Sequence, residues 1–288
     1  SYSITVSDSG ACPDETISGN HTCPCTTDAG TLTDASYEIC TNESATVTTN
    51  GNNVLDGNDA FQYVLHDGSA TELGNVLLIS NDGTFTYDVS LETGTVYYVS
   101  AIAGNENIQG NVDLNDPCLS VSNGLEILFY ALPTATFAGN LTVCAGSAAE
   151  LIVNFSGQGP WSFTYELDDN PTGGTVQSTG NSITLPVTEP GTYTISAVTD
   201  ANCTGSGGSS ATVNTFELPT ATLGGEPEVC EGSGEGPEVT FTGAAPYTFL
   251  YSIDGEEQNE ITTSDNPYTI PAFASGEFTL VSMSDSNC

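Results

Sequence analysis

Residues 160–165 read PWSFTY, and residues 246–251 read PYTFLY, 86 positions later. Aromatic side chains occupy every second position in both stretches, as Trp161, Phe163 and Tyr165 do in the first, with polar residues between them in that first stretch. A period of two is typical of a β-strand with one buried face. The sequence therefore predicts the same half-buried strand in two successive repeats.

The similarity extends well beyond this strand. The run LPTAT at 132–136 returns at 218–222, and GTYTI at 191–195 corresponds to GEFTL at 276–280. Two cysteines recur in each repeat, and a more divergent copy precedes the two close ones. The matched pairs are Cys40 with Cys118, Cys144 with Cys203, and Cys230 with Cys288. Self-similarity at a fixed period is typical of an array of repeated domains.

The predicted organisation has four segments. Residues 1–31 are interpreted as the C-terminal tail of a preceding repeat and 32–131 as a divergent repeat. Residues 132–217 form the next repeat, and 218–288 form a repeat that ends before its last strand. Short strand-like runs punctuated by Gly, Pro, Asn and Asp predict a two-sheet sandwich for each repeat. We expect an extended array with stiff Leu-Pro linkers, cut from a longer chain.

The charge balance excludes several classes of partner. The chain has 37 acidic residues, no lysine or arginine, and a formal charge of −37. Binding to a nucleic-acid backbone or to an anionic lipid surface relies on basic side chains. No apolar run approaches the roughly 20 residues of a membrane span. The fold must therefore depend on burial, backbone hydrogen bonds and covalent links, with no nucleic-acid partner and no membrane span.

The nine cysteines predict disulfides and an oxidising compartment. There is no CxxC pair, and two histidines are too few for an ordinary zinc framework. The matched positions predict one disulfide within each repeat, namely Cys40–Cys118, Cys144–Cys203 and Cys230–Cys288. Cys12, Cys23 and Cys25 remain, and the sequence does not choose among their pairings.

The pattern of Gly243, residues 246–249, Gly276, Asp285 and Cys288 resembles the SprB-type, PKD-like repeats of gliding-bacterium adhesins. This resemblance implies tandem immunoglobulin-like β-sandwiches in a large protein at the extracellular face of a bacterial cell. It further implies export by the type IX secretion pathway and a role in adhesion, gliding motility or an extracellular appendage.

Carboxylates in loops make calcium sites a further hypothesis, because calcium takes six to eight oxygen ligands. Several of these residues match between repeats, and others share one inserted loop. The candidate ligands are Asp113, Asn115, Asp116, Asp168, Asp254, Asp200 and Asp285. The alternative is that these residues form turns, since Asp and Asn bond their own backbone and tolerate left-handed conformations.

No motif indicates an enzyme. The sequence lacks HExxH, GxSxG and a phosphate-binding loop. His21 and His66 are the only neutral-pH bases, and we expect both at solvated positions. Trp161 could form a sugar-binding platform, but its place in the alternation favours a core aromatic.

Two functions remain after these exclusions. The first is a structural and adhesive repeat segment of a stalk, fibre or appendage, whose partners are neighbouring repeats and surface glycans or other cells. The alternative is a carbohydrate-binding or other accessory module of a secreted enzyme. Flanking sequence with more repeats would favour the first function, and a flanking catalytic motif would favour the second.

Overall fold

A computed structural model of the chain describes residues 2–6, 15–19, 25–33, 35–224, 236–271 and 275–288. These residues form strands and turns, and none of them lies in a helix able to cross a membrane. The chain divides into two compact units, Ser1–Leu132 and Pro133–Cys288. The predicted all-β class is confirmed.

Ten strands occur in the described part of the first unit. They are β1 (Tyr2–Val6), β2 (Glu15–Gly19), β3 (Tyr37–Cys40), β4 (Ser44–Thr46), β5 (Asp59–His66), β6 (Val76–Ser80), β7 (Thr84–Thr86), β8 (Val96–Asn105), β9 (Ser120–Val121) and β10 (Leu125–Tyr130). The larger sheet has the order β3-β10-β8-β5-β6, with β9 added to β8, and a smaller sheet pairs β4 with β7. β1 and β2 form a separate antiparallel pair.

The core of the first unit lies between its two sheets. Leu65, Val99, Ile127 and Phe129 are fully buried there, together with Phe85 of the small sheet. Each of these side chains is aliphatic or aromatic, so burial of apolar area is the main favourable term in this sandwich.

Sixteen strands occur in the described part of the second unit. They are β11 (Ala135–Phe137), β12 (Leu141–Cys144), β13 (Ala149–Phe155), β14 (Trp161–Leu167), β15 (Asn170–Ser178), β16 (Ser182–Val187), β17 (Gly191–Thr199), β18 (Thr204–Ser206), β19 (Ser210–Phe216), β20 (Ala221–Gly224), β21 (Glu238–Phe241), β22 (Tyr247–Ile253), β23 (Glu256–Glu257), β24 (Ile261–Thr263), β25 (Tyr268–Thr269) and β26 (Phe278–Ser284).

These strands build two sandwiches with separate cores. The first places the sheet β11-β13-β16 against β12-β19-β17-β14-β15, with β18 added to β17. Its core includes Leu151, Phe163 and Ile195. The second places β20-β21-β25 against a sheet in which β22 pairs β23, β24 and β26, and Phe249 and Ile270 are buried at its centre. Matched strands of the two repeats therefore occupy matched places.

The alternation of buried and exposed residues is interrupted within β17. Its register with β14 shifts between Thr164 and Tyr165, which leaves Ser196 as the extra residue of a β-bulge. Tyr193 and Ile195 are buried, but beyond the bulge the alternation is reversed, so that Val198 is buried and Ala197 is only partly buried. The same shift occurs between Leu250 and Tyr251 of β22. The bulge is therefore a repeated feature of the fold.

Trp161 is a core residue, which confirms the interpretation favoured by the alternation. Its ring lies 5.6 Å from that of Phe155 with 14° between the planes, and its Nε1–H donates to the carbonyl of Ser156 at 2.8 Å. A Cβ atom on Gly159 would lie 2.4 Å from Cζ3 of the Trp161 indole. In the next repeat the smaller Tyr247 stacks on Phe241 with ring centroids 4.6 Å apart, and Ala245 occupies the position that corresponds to Gly159.

The larger Trp161 is paired with a glycine and the smaller Tyr247 with an alanine. This pairing predicts the result of a double-mutant cycle. Gly159→Ala should destabilise the second unit by roughly 1–3 kcal/mol, because the buried indole has no room to move. In a Trp161→Tyr background the same substitution should cost less than about 1 kcal/mol, as in the natural pair Ala245 and Tyr247. Urea unfolding of the four proteins measures both steps. Equal costs in the two backgrounds would contradict the proposed contact.

Candidate functional site

A short turn that begins with an aspartate closes the sandwich after β17. Both carboxylate oxygens of Asp200 accept backbone hydrogen bonds: Oδ1 from Asn202 at 2.9 Å and from Cys203 at 2.7 Å, and Oδ2 from Gln158 at 2.8 Å. The amide of Ala201 donates to the carbonyl of Gln158 at 2.9 Å. In the Asp-x-x-Cys sequence, the aspartate carboxylate thus holds the cysteine in place by accepting a hydrogen bond from the cysteine amide.

The next repeat has the same network. Asp285 accepts from Asn287 at 2.9 Å, from Cys288 at 2.6 Å and from Ala244 at 2.8 Å. The amide of Ala244, followed by that of Cys288, lowers the pKa of the Asp285 carboxyl by stabilising its charged form. The turn is therefore built around an ionised carboxylate.

The glycine that faces each turn makes this approach possible. Gly157 has φ = +94°, and a Cβ atom there would lie 2.3 Å from Oδ2 of Asp200. Gly243 has φ = +102° and stands in the same relation to Asp285, at 2.4 Å. A larger residue would displace the carboxylate as well as strain the backbone.

Gly157→Ala and Gly146→Ala separate these two effects. Gly146 also has a positive φ, +81°, but no atom lies within 4 Å of the position its Cβ would take. Both substitutions incur the left-handed strain of about 1–3 kcal/mol. Gly157→Ala should cost roughly 1–3 kcal/mol more, because the amide of Gln158 loses its acceptor. Equal unfolding free energies for the two variants would show that the contact with Asp200 contributes nothing.

The first unit contains a shorter form of the same turn. Asp116 is buried and accepts from the amide of Cys118 at 3.0 Å and from that of Asn105 at 2.6 Å. These two amides, Asn105 first, lower the pKa of the Asp116 carboxyl. Gly104 lies against the carboxylate, since its Cβ position is 2.9 Å from Oδ2. All three aspartates therefore fix the cysteine that follows.

The cysteine held by the last turn is bonded to the preceding sandwich. Cys288 forms a disulfide with Cys144, with Cα atoms 5.7 Å apart and a sequence separation of 144. Cys144 ends β12, which pairs in parallel with β19 so that Cys144 lies opposite Phe216. One half of the disulfide therefore lies beside the end of β19, which is the last strand of the first sandwich in the second unit.

The Leu-Pro linker connects the same two places. It leaves β19 after Phe216 and reaches Pro219, whose Cβ lies 3.1 Å from the Cβ position of Gly243 beside the Asp285 turn. The backbone linker and the disulfide therefore both connect the two sandwiches. We call residues 216–219 together with the Cys144–Cys288 disulfide the stapled junction.

The predicted disulfide Cys144–Cys203 is wrong, and the sheet explains why. Cys144 lies opposite Phe216, and β19 runs antiparallel to β17 with Val213 opposite Gly191. Cys144 therefore lies beyond the start of β17, whereas Cys203 follows its far end. At about 3.3 Å per residue these cysteines are roughly 35 Å apart along the sheet. A disulfide needs Cα atoms within about 7 Å.

The predicted Cys40–Cys118 disulfide is wrong for the same reason. Cys40 lies opposite Tyr130 at one end of the large sheet, whereas the amide of Cys118 binds the same Asp116 carboxylate as the amide of Asn105, at the other end. Cys118 is bonded instead to Cys25, 93 residues earlier, with Cα atoms 5.3 Å apart.

The third predicted disulfide, Cys230–Cys288, is excluded by the Cys144–Cys288 bond. Cys40 and Cys203 are also disulfide-bonded. Cys230, Cys12 and Cys23 lie outside the described residues.

The structure gives the calcium candidates a different role. Asp168 and Asp254 have φ of 47° and 50° and begin two-residue hairpin turns, and their carboxylates accept from the amides of Thr192 and Glu277. Asp113 accepts from the amide of Asn115 at 3.0 Å. Among the residues that the structure describes, no three His, Cys, Asp or Glu side chains converge on a metal-sized site. Calcium binding by these residues stays a prediction.

His66 is buried, which corrects the expectation of a solvated position, whereas His21 lies outside the described residues. The ring is fully covered in β5, with Nε2 3.0 Å from Oγ of Ser100. Nδ1 accepts from the amides of Gly68 at 3.2 Å and Gly74 at 3.4 Å. Burial lowers the pKa of His66 below 6.5, against a smaller raising effect of Asp67. These partners make His66 a structural residue that is neutral in the folded state.

The lowered pKa predicts a pH dependence confined to the first unit. A lowered pKa means that the unfolded chain takes up the proton first, so stability is complete above about pH 6.5 and is lost as the pH falls through the folded-state pKa. We expect the unfolding free energy of the first unit to decrease from pH 7.5 to 5.5, and His66→Phe to remove that slope. Residues 133–288 contain no histidine and serve as the internal control. Equal slopes in both units would contradict the assignment to His66.

A shallow cleft lies beside Trp161. Its volume is about 420 Å³, and Trp161, Gln177, Thr199 and Asp200 are among the residues that line it. Trp161 is only 8% exposed, because Phe155 covers one part of its ring. The cleft therefore offers polar groups at its wall and little aromatic surface.

Comparison with known proteins supports an immunoglobulin-like repeat. Residues 132–212 match the family model for the Ig-like domain of nucleoporin POM152. No curated protein matches the chain. With the sandwich topology described above, this match supports an immunoglobulin-like fold for the repeat at residues 132–212.

Solved structures with several domains are also similar to this chain. The I-band fragment I67–I69 of titin is 14% identical, covers 82% of this chain and 83% of its own, and has a TM-score of 0.35. Domains FN1–FN3 of chicken CNTN1 are 10% identical, with coverage of 84% and 87% and a TM-score of 0.31. Likeness at this level carries no argument about function.

Proposed function

We propose that this chain is a structural and adhesive repeat segment of a large secreted or cell-surface protein. The observation that carries the proposal is the stapled junction, in which a backbone linker and the Cys144–Cys288 disulfide join successive sandwiches. A joint of this kind holds neighbouring domains together without enclosing a substrate. It suits a stalk, fibre or appendage that keeps its length and presents its surfaces.

The proposed location is the extracellular face of a bacterial cell. Disulfides persist in oxidising environments, and the chain contains the disulfides Cys25–Cys118 and Cys144–Cys288. The resemblance to SprB-type repeats leads us to propose type IX export and a part in adhesion or gliding motility. We propose neighbouring repeats, surface glycans or other cells as partners, and no catalytic activity.

Labelling of intact cells tests the location. Antibodies raised against the 288-residue chain should label the surface of cells that produce the parent protein before any permeabilisation. Beads coated with the folded chain should adhere to cells or glycan surfaces, and beads coated with the reduced and alkylated chain serve as the control. Labelling that requires permeabilisation, or equal adhesion of both kinds of bead, would contradict the proposal.

The cleft beside Trp161 keeps the carbohydrate-binding alternative open to test. Its polar wall is able to hydrogen-bond sugar hydroxyls, although the covered indole offers little stacking surface. If the chain is an accessory module, a glycan array should show binding that Gln177→Ala weakens. If the parent chain and the Gln177→Ala variant bind the same glycans equally well, the glycan is not bound in this cleft.

A further inference from the structure

We infer that the chain is a tether whose maximum length under tension is limited by its disulfides. The inference follows from the connectivity of four described cysteines and stands apart from the adhesive role. Cys25–Cys118 closes one loop, and Cys144–Cys288 closes another that does not overlap it. Force applied at the two ends passes through covalent bonds, so it bypasses everything inside a closed loop.

The shortest covalent path between the ends is therefore short. It consists of residues 1–25, 118–144 and 288, which are 53 of the 288 residues. At about 3.5 Å per residue, this path spans at most about 190 Å, whereas the fully extended chain would span about 1,000 Å. Other disulfides, including those of Cys40 and Cys203, can only shorten the path further.

The bypassed segments include most of the three sandwich cores. Leu65 and Val99 lie inside the first loop, and Phe163, Ile195 and Phe249 lie inside the second. These residues hold their sheets together, yet tension between the chain ends does not reach them along the backbone. Unfolding of any of the three sandwiches therefore adds little length while the disulfides are intact.

Two segments carry tension, residues 1–25 and residues 118–144. Residues 118–144 contain β9, β10, β11 and β12, and strands already rise about 3.3 Å per residue. This segment also includes the boundary between the two units, after Leu132. The connection between the units is therefore inside the tensioned path, together with the core residues Ile127 and Phe129 of β10, whereas most of the remaining core lies outside it.

Single-molecule force spectroscopy tests this inference on the oxidised 288-residue chain, held between marker domains fused to its two ends. We expect the contour length released by the oxidised chain to stay at or below about 190 Å. The same molecules in reductant should release a total approaching about 1,000 Å, roughly a fivefold increase. The unaltered protein is used in both arms, so the comparison does not depend on a variant that folds.

Two double variants assign the limit to individual disulfides. Cys25→Ser with Cys118→Ser, and Cys144→Ser with Cys288→Ser, should each exceed the length of the parent under oxidising conditions. An oxidised parent that extends well beyond about 190 Å would overturn the inference. So would equal lengths with and without reductant. Adhesion by the beads described above is measured without tension, so a negative result there leaves this inference standing.

Discussion

Replacing Cys144 and Cys288 together by serine should lower the unfolding free energy of the second unit by about 5 kcal/mol. The bond closes a loop of 144 residues, and the chain-entropy model gives about that value for a loop of this size. Domain stabilities are about 5–15 kcal/mol in total, so this loss is a large fraction. Urea unfolding of the oxidised double variant and parent measures the difference.

The last sandwich should be the more affected part of that unit. Among the described residues its core has six buried side chains, against twelve in the preceding sandwich. In addition, β22 is the one described strand that pairs with β26, whereas the counterpart of β26, β17, pairs with both β14 and β19. Hydrogen exchange should therefore show the greater loss of protection at Phe249 than at Phe163.

The matched control is the double variant Cys25→Ser and Cys118→Ser. Its loop is 93 residues long and lies wholly within the first unit. We expect a similar loss in the first unit and none in the second. An unchanged urea midpoint for the Cys144 and Cys288 double variant would show that the disulfide contributes nothing to the fold.

Truncation of the central aromatic residue should be almost as costly. Phe163 is 1% exposed, and its ring lies 5.6 Å from that of Phe155 and 6.3 Å from that of Tyr165. Phe163→Ala should destabilise the second unit by about 3–5 kcal/mol, through lost burial and the cavity that remains.

Ile152→Ala is the control for this truncation. Ile152 belongs to β13 of the same sandwich, but its side chain is 48% exposed on the outer face. We expect a cost below about 1 kcal/mol for this variant, because little apolar area leaves the core. Similar costs for the two variants, measured by thermal unfolding, would contradict the assignment of the buried face.

The sequence was sufficient to predict the strands and their buried faces where the alternation is unbroken. Trp161, Phe163 and Ile195 face the core because successive side chains of a strand point to opposite faces, and in a half-buried strand the apolar face is the buried one. The bulge at Ser196 was not predictable, because one extra residue in a strand leaves no mark in composition. It reverses the alternation, which is why Val198 replaces Ala197 in the core.

The cysteines show a different limit of sequence reasoning. Matched positions in tandem repeats establish which residues are equivalent, but they do not establish whether two equivalent sites lie at the same end of a sandwich. That information lies in the strand pairing, where β12 runs parallel to β19 and β17 runs antiparallel to it. Within one repeat, Cys144 and Cys203 therefore fall at opposite ends.

The aspartates could have been assigned to turns from sequence with one further comparison. Gly157 and Asp200 recur together as Gly243 and Asp285. A glycine matched with a distant carboxylate suggests a close contact that excludes a side chain. The turn alternative already named hydrogen bonds to the backbone, and the matched glycine is the observation that favours it over a calcium site.

Peptide mapping under non-reducing conditions tests the stapled junction most directly. A protease that cuts after Asp or Glu is suitable, because the chain has no lysine or arginine for trypsin. The structure predicts one linked peptide pair that contains Cys144 and Cys288 and another that contains Cys25 and Cys118. Recovery of Cys144 linked to Cys203, or of Cys288 linked to Cys230, would contradict it.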